Sequence, residues 1–111
     1  MSKMTSAQAV FESQAAAILS LPVLHELRVL TANESFPRGE YYTPRDVARH
    51  LNGSQCAMSV YLLARSLRRV DKYHFVSLVA CAIEAHLKAG LLEGCVHEFR
   101  FHPELDLATI A

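Results

Sequence analysis

Residues 43–53, TPRDVARHLNG, constrain the fold of this 111-residue chain more tightly than any other stretch. Thr43 suits the N-cap of a helix, because its hydroxyl can accept from a free backbone N–H of the first turn. Pro44 then occupies the first helical position, where no N–H is needed. Asp46 lies three residues after the cap, the spacing at which a side chain reaches back to the cap's own N–H. Asn52-Gly53 ends the segment, since glycine readily takes the left-handed conformation found there. Both ends of one short helix are therefore written locally. Arg45 and Arg49 stand at i, i+4 within it and share a face. Tyr41-Tyr42 just before it reads as a short strand.

Helical patterning extends to both sides. Thr5 and Gln8 have capping-box spacing, and Val10, Phe11, Ala15, Ile18 and Leu19 follow at helical intervals, which predicts a helix over roughly 6–19. Ser20 and Pro22 read as a restart, and the stripe Val23, Leu24, Leu27 and Leu30 predicts a second helix over roughly 21–32. NESFPRGE is a loop by composition. Ser54 caps a helix over roughly 54–69, and Asp71 precedes another over roughly 74–89 that carries Phe75, Leu78, Val79, Ala82, Ile83 and Leu87 and stops at Gly90. Then the period changes. LLEGCVHEFRF reads as a hairpin with a glycine-containing turn, with Val96, Glu98 and Arg100 facing one way and His97, Phe99 and Phe101 the other. Pro103 ends it, and residues 103–111 form a weakly apolar tail.

These elements make a single domain over 1–111, mainly α with a small β-hairpin. A chain this short buries a modest core, so the aliphatic load of residues 6–32 is expected to form a homodimer seam as well. The N-terminus lacks an apolar run of signal-peptide length, and FVSLVACAIEAHL is too short to span a bilayer. Cys56, Cys81 and Cys95 are odd in number and have no CxxC spacing. Both features fit a cytoplasmic protein with reduced thiols. The 11 basic and 11 acidic residues cancel, yet their order is uneven. Arg45, Arg49, Arg65, Arg68, Arg69 and Lys72 stand against Asp46 and Asp71 alone, so a basic middle is flanked by net acidic ends.

From Val23 to Phe101 the chain resembles the winged helix-turn-helix superfamily. The residues that carry this are the support helix TPRDVARHL, the later helix ending IEAHLKAGLLE, and CVHEFRF in the place of the wing. The resemblance implies a winged-helix core over 40–102 and a small transcriptional regulator that binds double-stranded DNA, of the kind encoded by bacteria or their mobile elements. It also leaves two candidates for the recognition helix. Residues 54–69 directly follow the support helix and end in arginines, whereas residues 74–89 directly precede the wing but carry little positive charge. Arg45, Arg49, Arg65, Arg68, Arg69 and Lys72 are the expected phosphate or base contacts, with Arg100 near the backbone. The rival reading is an adaptor or inhibitor, for example a phage-encoded one, that has the winged shape and binds protein instead of DNA.

Other chemistries have little to stand on. Cys95, His97 and His102 are near in sequence but lack the paired spacing of zinc sites, so no metal or other cofactor is expected. No GxSxG, phosphate loop, HExxH or dinucleotide fingerprint occurs, and no enzyme is expected.

Overall fold

The computed structural model describes residues 3–32, 41–71 and 73–102. The predicted loop around Pro37, the residue Lys72 and the tail 103–111 lie outside them. Helix α1 runs unbroken over Lys3–Ala32. Its residues Phe11, Ala15, Leu19, Val23, Leu27 and Leu30 recur at steps of four or three and are all buried. The remaining elements are α2 (Pro44–Leu51), α3 (Gln55–Ser66), α4 (Phe75–Lys88), β1 (Leu92–Cys95) and β2 (Glu98–Phe101). Helix α1 packs against α4, α3 and α2; α2 also packs on α4, and α4 on β1.

The break predicted at Ser20–Pro22 does not occur; Pro22 lies inside α1. A proline there removes one backbone hydrogen bond and crowds the carbonyl four residues earlier, at about 3 kcal/mol or more. Tertiary packing outweighs that local penalty. Leu19 and Val23 on either side of the proline are both fully buried, and a break would take Leu27 and Leu30 out of the same stripe. A polar tie from α4 lies close by. His86, the one buried polar side chain among the described residues, places Nε2 2.8 Å from the Ser20 carbonyl and 3.5 Å from its hydroxyl. A carbonyl can only accept, so Nε2 carries the proton.

The short helix forms as its sequence indicates. Thr43 accepts from the Asp46 N–H at 3.3 Å, and the Asp46 carboxylate accepts from the Thr43 N–H at 2.9 Å. Pro44, Val47, Ala48 and Leu51 are buried, which turns Arg45 and Arg49 outward. The α2–α3 joint is a type II turn: Asn52 has φ −62 and ψ 128, Gly53 has φ +86, and Ser54 N–H donates to Leu51 O at 3.0 Å.

Helix α3 stops at Ser66, short of the expected Arg69. Its end is a Schellman motif: Arg69 N–H donates to Ala64 O at 2.6 Å and Arg68 N–H to Arg65 O at 3.2 Å. Arg68 takes the left-handed conformation, φ +59, that Gly90 takes in the same motif at the end of α4.

The hairpin pairs Leu92 with Phe101, Glu93 with Arg100, Gly94 with Phe99 and Cys95 with Glu98. Its turn is therefore Val96–His97, not the glycine. Phe99 and Phe101 share a face as expected, and both are buried in the core. Gly94 lies within β1 at φ +106, where an added Cβ would come 2.3 Å from Glu98 O and 3.2 Å from the Tyr41 ring. The predicted strand at Tyr41-Tyr42 reduces to one bridge, in which Tyr42 and Phe99 exchange both backbone hydrogen bonds, at 2.7 and 2.9 Å.

Two substitutions test these local readings by thermal or denaturant unfolding. Arg68→Gly should stabilise the chain by about 0.5–1 kcal/mol, because it removes the left-handed penalty less glycine's greater chain entropy. Gly94→Ala should destabilise it by about 1–3 kcal/mol, because the carbonyl of Glu98 must move.

Candidate nucleic-acid interface

The Tyr42–Phe99 bridge anchors the start of α2 to the hairpin. With α2 also packed on α4, the three elements enclose a groove. One part, about 590 Å³, is lined by Thr43, Pro44, Arg45, Val76, Ser77, Ala80 and His97. A second, about 220 Å³, is lined by Arg45, Ala48, Arg49, Asn52, Phe75 and Val76. Arg45 and Val76 belong to both, so the two parts adjoin. Arg45 and Arg49 flank the groove from α2, and His97 in the hairpin turn closes one end. On the α4 side Val76, Ser77 and Ala80 line the larger part, and Phe75 with Val76 the smaller.

The expected cationic residues separate into three groups. Arg45 and Arg49 stand at this groove. Arg65, Arg68 and Arg69 gather at the C-terminal end of α3, a helix packed on α1. Arg100 is engaged within the hairpin: Nε donates to the Glu93 carboxylate, and the guanidinium lies over the Tyr41 ring at 4.9 Å from its centroid. The hydrogen bond to Glu93 raises the Arg100 pKa further above its already high ordinary value; slight desolvation opposes this, and the charge of Glu93 and then Tyr41 add to the rise. Among the described residues Arg45, Arg49, Arg65, Arg68 and Arg69 have no acidic partner.

Between the two candidate recognition helices, packing and order along the chain favour α4. Both helices pack on α1, but α4 also lies against α2 and leads directly into β1, whereas α3 shares with α2 only the short glycine-containing joint. The outward residues of α4 are Val76, Ser77, Glu84, Ala85 and Lys88. Spacing found Arg45 and Arg49. It did not find Ser77, Ala80 or His97, which reach the groove only through the packing of α2 on α4.

The tyrosines divide evenly. Tyr42 is buried; Tyr73 meets Phe11 edge-on at 5.3 Å, and burial and then the nearby Tyr61 hold its hydroxyl above its ordinary pKa. Tyr41 and Tyr61 are exposed. Cys56 and Cys81 are half-buried and Cys95 is exposed. No three His, Cys, Asp or Glu side chains among the described residues converge as metal ligands. Burial, followed by the charges of Glu12 and Glu84, raises the Cys81 thiol pKa. The thiolate is the reactive form, so Cys81 should alkylate more slowly than Cys95 at neutral pH in timed iodoacetamide labelling read by peptide mass; the reverse order would contradict its placement. Comparison of the chain with protein-family models, curated proteins and solved structures finds no match.

Proposed function

We propose that this chain is a small cytoplasmic DNA-binding regulator of winged helix-turn-helix type, in which α4 enters the major groove of duplex DNA. Arg45 and Arg49 hold the flanking phosphates, and the hairpin turn at His97 lies beside the duplex. One observation carries this reading: two arginines without acidic partners among the described residues flank a groove whose far wall is α4 and whose end is the hairpin turn. The scarcity of positive charge on α4 is then no obstacle. Phosphate contacts set register and most of the salt-dependent affinity, and they can come from a neighbouring element. Ser77 and Glu84 supply polar groups for base edges, Glu84 as an acceptor for a cytosine amino group.

The homodimer expected from residues 6–32 loses much of its motive. The large aliphatic side chains of α1 are mostly in the chain's own core, and among the described residues Val10, Leu21 and Val29 are the large ones it leaves exposed. Helix α1 is long and apolar enough over Ala7–Ala32 to cross a membrane by length and composition alone; its buried stripe supports the other reading, that of a central core helix. The rival protein-binding reading draws its support from α3, whose outward surface carries Met58, Tyr61 and Leu62.

Titration of fluorescent duplex DNA at several salt concentrations tests the proposal. Arg45→Ala with Arg49→Ala should weaken binding and lower the log–log salt slope by about 1.8, two contacts at about 0.9 each. Changing Arg65, Arg68 and Arg69 together to Ala should lower the slope by less than about 0.9. Wild-type protein that binds no duplex at low salt would leave the protein-binding reading in front.

A further inference from the structure

Helix α3 is apolar on both sides. Val60 and Ala64 are buried against the core, with Cys56 and Leu63 partly covered. On the opposite side Met58, Tyr61 and Leu62 are 53%, 41% and 52% exposed, and Leu67 and Val70 just beyond the helix are 38% exposed each. Met58, Tyr61, Leu62 and Arg65 fall at i, i+3, i+4 and i+7, one continuous stripe along the helix. Large apolar side chains clustered on the outward side of a helix mark interaction surfaces.

The charge around the stripe indicates what covers it. Helix α3 has no carboxylate, and Arg65, Arg68 and Arg69 cluster at its C-terminal end without acidic partners among the described residues. Arg68 holds its place there in a left-handed conformation that glycine would take at lower cost. A second copy of the chain fits poorly. An α3–α3 contact brings no carboxylate from either helix to the arginines, and the exposed apolar residues of α1, Val10, Leu21 and Val29, are too widely spaced to match the stripe. We infer that the Met58–Tyr61–Leu62–Arg65 face of α3 docks an amphipathic helix of a partner protein, with its apolar side on the stripe and acidic residues on Arg65 and Arg69. This surface goes beyond the DNA reading and does not depend on it.

Selection from a displayed library of short helix-forming peptides, with the full chain as bait, tests the inference. Enriched peptides should combine apolar residues at i, i+3 or i+4, and i+7 with flanking Asp or Glu. Their affinity should fall at least about tenfold for Leu62→Asp and for Met58→Glu, the loss expected when a central contact is removed. It should also fall for Arg65→Ala combined with Arg69→Ala, and stay unchanged for Val29→Asp on α1. Melting curves confirm that each variant is folded, and Met58→Glu serves if Leu62→Asp does not fold. Neutral or basic enriched peptides, no enrichment, or binding indifferent to both stripe variants would overturn the proposal. So would self-association abolished by Leu62→Asp, or binding to phosphatidylcholine–phosphatidylserine vesicles abolished by the same change.

Discussion

The buried stripe of α1 is the constraint on which the other elements depend. Six residues from Phe11 to Leu30 present one continuous apolar surface, and α2, α3 and α4 each pack on it. The helix has to continue through Pro22 to serve all three, and the burial of Leu19 and Val23 favours its doing so. His86 then joins α4 to the Ser20 carbonyl. A buried histidine without that acceptor would lose about 1–3 kcal/mol in desolvation, so the contact favours one placement of α4 over its near alternatives. Since α4 forms one wall of the groove, the proposed interface inherits its geometry from the core.

Local signals were legible in the residues themselves, and long-range ones were not. The Thr43–Asp46 capping box, the ends of α2 and α4, and the inward-facing Phe99 and Phe101 each depend on neighbours within a few positions. The helix break expected at Pro22 failed because a proline penalty is local, whereas the benefit of a continuous helix comes from three other elements. The hairpin turn was expected at Gly94 because glycine usually marks turns. Here it marks the place where Glu98 and Tyr41 approach a strand too closely for a side chain. The early end of α3 rests on a left-handed arginine, which no residue preference announces. In the candidate site, the spacing of Arg45 and Arg49 showed a shared face. That this face adjoins Ser77, Ala80 and His97 follows from how α2 settles on α4.

The neutral composition conceals a division of labour among the cations. Arg100 is held by Glu93 and lies over Tyr41, which orients hairpin side chains more than it stabilises the fold, since exposed pairs contribute little. Arg45 and Arg49 remain available at the groove, and Arg65, Arg68 and Arg69 at the end of α3. A chain with no net charge can thus present two basic surfaces with different surroundings, one beside a recess between α2, α4 and the hairpin turn and one beside an apolar stripe. Phosphate fits the first, and a helix with both apolar and acidic residues fits the second.

On the proposed reading, duplex DNA meets the α2–α4 groove. Backbone amide NMR of the full chain titrated with duplex DNA tests this. Shifts should concentrate at Arg45, Arg49, Val76, Ser77, Ala80 and His97, with the outer face of α3 unmoved. No shifts at low salt, or shifts confined to residues 58–70, would contradict it.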